Sequence, residues 1–225
     1  MDWGAKCAAV IPCLNENRTI GALVRGITLH VPTVFVVDDG SNDGSGESSL
    51  EAGAQVIRNE VTQGKGAALR TGCQRARDAG FSWALTMDGD GQHSVEDIPK
   101  FFQFAEATSA DLVIGNRMTE SSQMPWLRRL VNRWMSQRLS RLARQELPDS
   151  QCGFRLINLP RWAELSLKTN HFEIESEMLL SFVQHGYRVG FAPIRVIYKA
   201  EQSKIHPWRD TLRWFRWWRQ AKREE

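Results

Sequence analysis

The sequence W-A-L-T-M-D-G-D-G-Q-H, at Trp83–His93, places two acidic residues directly after a short apolar run. An apolar run of this length that ends in a turn signal predicts a buried strand, here Trp83–Met87. Gly89 lies between Asp88 and Asp90, where it would let the backbone turn tightly and let a ligand approach closely. Because open parallel sheets bind ligands at the carboxyl ends of their strands, the stretch predicts a binding site at a strand end.

Strand and helix patterns alternate around this stretch in the first half of the chain. Further strands are predicted at Cys7–Ile11, where Pro12 ends the run, and at Val34–Val37, Val56–Arg58 and Asp111–Ile114. Apolar residues at helical spacing separate them, most clearly over Gly64–Gly80 and Val95–Ala107. This alternation predicts an α/β fold with a mostly parallel sheet and helices on both faces.

The second half of the chain has longer helices and fewer strands. Helices are predicted at Trp126–Arg144, Ile174–His185 and Trp208–Lys222, and strands at Phe154–Ile157 and Arg188–Tyr198. No Gly-, Pro- or Ser-rich linker divides the pattern. We therefore predict one domain over residues 1–207, followed by a basic, Trp-rich amphipathic helix over residues 208–225 that either packs on the domain or lies at a membrane interface.

Acidic side chains follow three of the predicted strands. They are Glu16, the pair Asp38-Asp39, and Asp88 with Asp90. Carboxylates that meet at one edge of a sheet repel each other unless a cation joins them. Because Mg²⁺ and Mn²⁺ prefer oxygen ligands and usually also bind substrate phosphates, the pattern predicts a divalent cation with a nucleotide diphosphate.

Composition and missing motifs exclude several classes of protein. The first half is acidic and the second half basic, which suits a cation site and an anionic partner. The chain has no Gly-x-Gly-x-x-Gly after its first strand, no complete phosphate-loop pattern and only scattered histidines, which argues against dinucleotide-dependent oxidoreductases, ordinary NTPases and His-based zinc hydrolases. We find no signal peptide and no membrane-spanning run, so we expect a cytoplasmic location.

Several motifs occur in the order that is typical of family 2 glycosyltransferases. They are P-C-L-N-E (Pro12–Glu16), V-V-D-D-G-S-N-D-G (Val36–Gly44), Q-G-K-G-A-A (Gln63–Ala68), M-D-G-D-G-Q-H (Met87–His93), G-N-R (Gly115–Arg117) and D-S-Q-C-G-F-R (Asp149–Arg155). The chain most closely resembles the dolichyl- or polyprenyl-phosphate mannose or glucose synthase branch, from about Ala8 to Lys204. The resemblance implies the glycosyltransferase A fold and a nucleotide-sugar donor.

The resemblance also implies which residues hold the donor. The positions that match those of the base and ribose site are Pro12, Glu16, Asp38 and Asp39. Lys65 matches a motif that shapes the donor pocket, although an exposed lysine at the start of a helix would explain it equally well. Lys204 matches a loop that closes over the donor.

For the metal and the acceptor, the resemblance implies two further groups of residues. Asp88, Asp90 and Gln92, with Gly89 between the carboxylates, match the site for Mg²⁺ or Mn²⁺ and the diphosphate. Arg117 and Arg128 match arginines that hold the acceptor phosphate, and Asn132 stands where the family usually has a serine. Asp88, Asp90, Arg117 and Arg128 are therefore the predicted catalytic residues.

The predicted reaction is an inverting transfer of a sugar, with the metal offsetting charge on the leaving diphosphate. A phosphate acceptor is already anionic at neutral pH and needs no general base, whereas a hydroxyl acceptor would need one. The candidate bases are Asp149 and Glu175, for which a loop-capping role and a structural helix carboxylate are the alternatives. The leading acceptor is a membrane-associated polyprenyl phosphate. The alternative is a hydroxyl group of another lipid or glycan.

Two basic amphipathic helices suggest how the chain would reach such an acceptor. The first is Trp126–Arg144, and the second contains Trp208, four further aromatic residues and a row of arginines up to Arg223. Arg and Trp at this density are typical of helices at a membrane interface, which predicts peripheral attachment to the inner, anionic face of a membrane. The alternatives are core packing of both helices, a non-catalytic nucleotide-sugar or membrane-binding module, and nonspecific nucleic-acid binding, for which we find no motif.

Overall fold

The computed structural model describes residues 1–119, 124–197 and 207–223. Its strands are β1 (Cys7–Cys13), β2 (Val34–Asp38), β3 (Gln55–Arg58), β4 (Trp83–Thr86), β5 (Leu112–Asn116), β6 (Arg155–Asn158) and β7 (Val189–Pro193). They form one seven-stranded sheet in the order β3-β2-β1-β4-β6-β5-β7. Only β6 runs antiparallel to its neighbours β4 and β5, so the predicted mostly parallel sheet is confirmed.

The helices connect these strands in the predicted alternation. They are α1 (Trp3–Lys6), α2 (Asn17–Thr28), α3 (Ser45–Glu51), α4 (Lys65–Asp78), α5 (Ile98–Thr108), α6 (Trp126–Ala143), α7 (Leu159–Trp162), α8 (Ile174–Gln184) and α9 (Pro207–Ala221). A short 3₁₀ turn, Val95–Asp97, precedes α5. Within the described ranges, no helix combines the length and the apolar character that are needed to span a membrane.

The core of the domain surrounds β1 and β2. Every residue of β2 is buried, and β1 is buried along its whole length except at Pro12. Strands that are buried on both sides are expected where helices cover a parallel sheet. The close approach of α4 depends on Gly72, where a Cβ atom would lie 2.3 Å from Val10 Cγ1.

Three local features differ from the sequence predictions. Strand β1 continues through Pro12, which pairs with Val37, instead of ending there. Pro12 lies beyond the last β1–β4 pair, Val10↔Thr86, at a strand end where a missing N–H is tolerated. The helices α1 and α7 were not predicted, because four residues are too few to show a helical period.

Helix α9 packs against the domain through its tryptophans. Trp214 is 2% exposed, and its ring lies 5.5 Å from that of Trp134 on α6. The guanidinium of Arg138 lies between Trp134, at 4.3 Å, and Trp218, at 5.0 Å from the ring centroids. Trp217 also packs against the core cluster, so three tryptophans of α9 contribute to the interior of the domain.

Candidate active site

A largely buried lysine joins two carboxylates at the carboxyl end of the sheet. Lys65, the first residue of α4, places its Nζ 2.5 Å from Asp88 Oδ1 and 2.5 Å from Glu175 Oε1. Its side chain is only 13% exposed and lies over the ring of Phe172. The alternative of an exposed lysine is therefore wrong. The structure instead links the end of β4 to the start of α8.

The charges in this cluster keep each other ionised. Burial alone would lower the pKa of Lys65, but Asp88 and Glu175 outweigh it and raise that pKa well above its ordinary value. Burial alone would raise the pKa of Asp88, but Lys65 and the side chain of His93 hold it well below its ordinary range. His93 Nε2 lies 3.8 Å from Asp88 Oδ2. Asp88 is thus a fixed, ionised carboxylate.

Asp90 is the second carboxylate of the same turn and has a different environment. Its Oδ1 accepts a hydrogen bond of 3.0 Å from the backbone N–H of Gln92. Burial and then the charge of Asp88 raise the pKa of Asp90. The negative charge of Asp88 thus disfavours ionisation of Asp90, and a divalent cation bound beside Asp90 would relieve that repulsion.

The oxygen donors of this turn fit Mg²⁺ or Mn²⁺, provided that the substrate completes the coordination. Asp90 and Gln92 present hard oxygen atoms, and Asp88 is adjacent. Among residues 1–119, 124–197 and 207–223, no group of three or more His, Cys, Asp or Glu side chains is arranged to hold a metal ion. Because Mg²⁺ is usually bound by one or two carboxylates together with water and substrate phosphates, the donor set still suits it.

Gly89 provides space in this turn rather than backbone flexibility. Gly91, with φ of 65°, adopts the left-handed conformation, and Gly89 does not. The glycine that the tight turn requires is therefore Gly91, two residues after the predicted position. A Cβ atom on Gly89 would lie 3.2 Å from Glu16 Cγ and 3.4 Å from Pro12 O. The glycine therefore lets the acidic turn pack against the end of β1, as a close approach requires.

The two acidic residues Asp38 and Asp39, at the end of β2 and directly after it, have different contacts. Asp39 accepts three hydrogen bonds of 2.7–2.8 Å, from Asn59 Nδ2 and from the backbone N–H groups of Gln63 and Gly64. It thus holds the loop that leads to Lys65. Asp38 is fully buried, and its Oδ2 has no hydrogen-bond partner among the described residues, with Arg58 Nε at 3.7 Å. Contacts of these two residues with a base or ribose stay a prediction.

The glycines of the Gly64-Lys65-Gly66 motif admit a second chain segment. A Cβ atom would lie 2.3 Å from Asn170 O at Gly64 and 2.4 Å from Thr169 O at Gly66. The backbone N–H of Gly66 donates to Asn170 O at 2.8 Å. This contact brings the segment that precedes α8 onto the start of α4, which explains how Lys65 can reach Glu175.

Arg117, a predicted acceptor residue, forms a bidentate ion pair with Asp149. Arg117 Nε lies 2.7 Å from Asp149 Oδ2, and Nη2 lies 2.8 Å from Oδ1. Asn132 Nδ2 donates to Asp149 Oδ1 at 3.0 Å, so Asn132 supports this pair rather than projecting from α6. A guanidinium has five N–H donors, so a pairing that uses two of them is compatible with phosphate binding by Arg117.

Arg128 connects the two halves of the site. Its Nη1 lies 3.4 Å from Gln92 Oε1, which joins the first turns of α6 to the acidic turn after β4. The predicted metal-side and acceptor-side residues Gln92 and Arg128 therefore lie together. Lys204 lies outside the described residues, so its predicted role over the donor stays a prediction.

Both candidate general bases are held in ion pairs. Burial alone would raise the pKa of Asp149, but the charge and hydrogen bonds of Arg117 lower it below its ordinary value. Its Oδ1 also accepts from the backbone N–H of Gln151 at 3.2 Å, which is the loop-capping contact that was the alternative. Glu175 is 4% exposed and paired with Lys65.

Arg155 is a residue of the site region that the sequence analysis did not single out. Its buried guanidinium donates to the carbonyl oxygens of Cys152 at 2.8 Å, Glu175 at 2.8 Å and Ser150 at 3.1 Å. It thereby joins the D-S-Q-C-G-F-R loop to α8. The only sequence signal for Arg155 was its position as the last residue of the D-S-Q-C-G-F-R motif, where the apolar strand β6 begins.

Known proteins resemble this chain in both sequence and fold. Residues 8–159 match the model of glycosyl transferase family 2. The UDP-N-acetylglucosamine–dolichyl-phosphate N-acetylglucosaminyltransferase of Methanococcus voltae is 29% identical over 84% of this chain and 84% of its own. The undecaprenyl-phosphate mannosyltransferase of Micrococcus luteus is 25% identical over 84% of this chain and 82% of its own.

Solved structures with the same fold include a glucosyl-3-phosphoglycerate synthase and a mannosyl-3-phosphoglycerate synthase. The glucosyl-3-phosphoglycerate synthase of Mycobacterium tuberculosis, in complex with Mn²⁺, UDP and phosphoglyceric acid, has a TM-score of 0.69 at 17% identity and covers 94% of this chain and 75% of its own. The mannosyl-3-phosphoglycerate synthase of Rubrobacter xylanophilus has a TM-score of 0.69 at 18% identity, covering 97% and 75%. These likenesses confirm the glycosyltransferase A fold.

The match to the family model extends from β1 through β6 and includes the acidic turn after β4 and the ion-paired Arg117. It covers more than half of the chain, and the named relatives of similar length are sugar transferases. The order of motifs, the sheet topology and the family match agree. The chain is a glycosyltransferase that belongs to family 2.

Proposed function

We propose that this enzyme transfers a sugar from a nucleotide-diphosphate sugar to a polyprenyl phosphate, with inversion at the anomeric carbon and with a divalent cation bound at Asp90. The observation that carries the proposal is the contact between Gln92 and Arg128. It supports the proposal because the acidic turn, where we expect the cation, then lies beside an arginine that suits a phosphate. The relatives that act on dolichyl and undecaprenyl phosphate support the choice of acceptor.

On the donor side, the chain supplies a fixed negative site. Asp90 and Gln92 would hold Mg²⁺ or Mn²⁺, which when bound offsets the charge that develops on the leaving diphosphate. Lys65 keeps Asp88 ionised and fixed, so this carboxylate does not have to reorganise when the donor binds. Pro12, Glu16 and Asp38 line the strand ends where the base and ribose would lie.

On the acceptor side, the ion pairs favour a phosphate over a hydroxyl. A hydroxyl must lose a proton as it attacks, whereas a phosphate oxygen is already anionic at neutral pH. Asp149 is bound to Arg117, and Glu175 is bound to Lys65, so each candidate base would have to leave a buried cation to act. Arg128, together with Arg117, offers the planar donor geometry that pairs well with phosphate.

A comparison of two acceptors tests this choice. We expect transfer to a polyprenyl phosphate and none to the polyprenol of the same chain length, measured with radiolabelled donor sugar and organic extraction. Transfer to the polyprenol at a similar rate would show that a hydroxyl acceptor and a general base are used. If neither lipid accepts sugar while the donor binds, the lipid acceptor is wrong.

We predict that Arg128→Ala raises the acceptor KM at least about tenfold and leaves the donor KM within about twofold of wild type. The reason is that the substitution removes one partner of a charge-assisted contact with the acceptor phosphate. Arg117→Ala should act in the same direction but also destabilise the fold, because it leaves Asp149 buried and unpaired. Arg141→Ala, exposed near the end of the same helix, is the control. Equal losses for donor and acceptor would place Arg128 at the nucleotide.

We further propose that the enzyme attaches peripherally to an anionic membrane, and the structure changes which residues we expect to carry the attachment. Trp214 is buried in the core, and Trp217 and Trp218 are partly buried against it, which supports the packing alternative for these three side chains. The side chain of Trp208 lies outside the described residues. The exposed apolar side chains near the start of α6 are Trp126, Leu127 and Leu130, at 70%, 55% and 58% exposure.

Charge would assist this apolar contact. The exposed arginines of α9 and the turn that follows it are Arg209, Arg216, Arg219 and Arg223. Each basic residue near an anionic surface contributes about 1 kcal/mol, and salt screens that attraction. The apolar side chains of α6 would insert independently of salt, and they immediately adjoin Arg128.

Vesicle flotation of two surface variants separates these contributions. We expect that replacing Trp126, Leu127 and Leu130 by Ser reduces binding to anionic vesicles at both low and high salt. Replacing the four arginines by Ser should reduce binding only at low salt. Wild-type protein that stays unbound in every condition, or variants that float as well as wild type, would refute peripheral attachment through these surfaces.

A further inference from the structure

A chain of polar side chains, buried except for the half-buried Gln151, leads from α9 towards the predicted acceptor side of the site. Trp214 Nε1 donates a hydrogen bond of 2.8 Å to Ser176 Oγ, on the residue after Glu175. Gln151 Nε2 donates to the same Ser176 oxygen at 2.8 Å. Helix α9 therefore contacts the D-S-Q-C-G-F-R loop through a single serine of α8.

The chain continues from this loop to the acceptor arginine. Gln151 Nε2 also donates to Ser150 Oγ at 2.8 Å, and Ser136 Oγ lies 3.1 Å from that oxygen. Ser136 Oγ lies 3.4 Å from Asn132 Oδ1. Asn132 then donates to Asp149, which holds Arg117. An unbroken series of contacts thus joins Trp214 to Arg117.

Burial makes this arrangement specific. Ser150 and Ser176 have no exposed surface, and Trp214 is 2% exposed. A buried polar group that loses its partner keeps its desolvation cost, so the network favours one arrangement over slightly shifted ones. Arg155 limits the alternatives further, because it binds the carbonyls of Ser150, Cys152 and Glu175 at once.

We propose that Trp214 is a positioning residue for acceptor binding, which acts through Ser176 and Gln151 on the Asp149–Arg117 pair. The proposal rests on the proposed function in so far as Arg117 binds the acceptor phosphate. Helix α9 then contributes to acceptor binding, because the indole N–H of Trp214 fixes the loop that orients Arg117. The loop keeps this position only while α9 is packed on the domain.

Trp218 offers a matched control on the same helix. Its Nε1 is also buried but has no hydrogen-bond partner within residues 1–119, 124–197 and 207–223. Its ring stacks on Trp214 with the ring planes 8° apart. Trp214→Phe and Trp218→Phe therefore make the same change in ring size, but only the first removes a donor from the network.

Hydrogen exchange measured by mass spectrometry tests the coupling without any assumption about the substrate. In Trp214→Phe, peptides that cover residues 147–153 should exchange about tenfold faster than in wild type. In Trp218→Phe the same peptides should match wild type. Equal acceleration in both variants, or none in either, would overturn the proposed link.

Steady-state kinetics then test the consequence for acceptor binding. Trp214→Phe should raise the KM for polyprenyl phosphate about tenfold, with the donor KM unchanged, and Ser176→Ala should do the same. The double variant should be no worse than either single one, since both break the same link. Equal increases of donor and acceptor KM would overturn the positioning role. If wild type fails to use polyprenyl phosphate while the exchange difference persists, the proposed function fails and the structural coupling stands.

Discussion

Asp90→Asn should reduce metal-dependent sugar transfer by about a hundredfold or more while the protein stays folded. Asp90 is the carboxylate of the acidic turn that no described ion pair engages, and its pKa is raised by burial and by the charge of Asp88. Replacement by Asn keeps the size of the side chain but removes the charge that would hold the cation. Loss of one preorganised electrostatic contact typically costs on the order of 10²–10³ in rate.

Two measurements and one control variant make this expectation specific. Thermal unfolding should show that Asp90→Asn is as stable as wild type or more stable, because the substitution removes a carboxylate next to Asp88. The Mn²⁺ concentration that gives half-maximal activity should rise. Asp78→Asn, on the exposed end of α4, should change neither quantity. Near-native turnover by Asp90→Asn, or full wild-type activity in excess chelator, would contradict the metal assignment.

Lys65→Met should have the largest effect on stability of any substitution in the site. It removes the cation that lies 2.5 Å from both Asp88 and Glu175, and leaves the buried carboxylate of Glu175 and the partly buried carboxylate of Asp88 without that cation. Removing one partner of a buried ion pair costs about 3–5 kcal/mol. Activity should fall with it, because Asp88 would lose the contact that fixes it. Chemical denaturation at neutral pH measures the change in the free energy of unfolding.

Another lysine provides the matched control for this substitution. Lys100 Nζ lies 2.6 Å from Asp97 Oδ1, but the side chain of Lys100 is 49% exposed. Lys100→Met should therefore cost no more than about 1 kcal/mol. The double variant Lys65→Met/Glu175→Gln should recover part of the lost stability, since it removes one of the two carboxylates. If Lys65→Met and Lys100→Met prove equally mild, Lys65 does not hold the carboxylates as described.

The alternation of strands and helices could be predicted from sequence because local patterns determine it. Strand β4 and the acidic turn after it, for instance, need only an apolar run and a glycine-rich turn. A local pattern likewise predicted a strand at the position of β6. It could not predict that β6 lies antiparallel between β4 and β5, because pairing depends on residues far away in the sequence. The neighbours of a strand are set by the packing of the whole sheet.

The partners of the site residues could not be predicted for a related reason. Lys65 reaches Glu175 only because Gly64 and Gly66 admit a segment more than a hundred residues away. Nothing in the motif around Lys65 specifies that partner. In the same way, the number of tryptophans in α9 could not show that Trp214 is buried against α8, since an interfacial and a packed helix share the same pattern.

One assay tests the central claim most directly: transfer of labelled sugar from a panel of nucleotide-diphosphate sugars to polyprenyl phosphate in vesicles, with Mn²⁺ or Mg²⁺ and with chelator. We expect at least one donor to yield a lipid-linked sugar phosphate, with the anomeric configuration inverted, only when both the cation and the phosphorylated lipid are present. Transfer that persists in chelator, or a product that forms on a hydroxyl acceptor while polyprenyl phosphate stays unmodified, would contradict the proposed function.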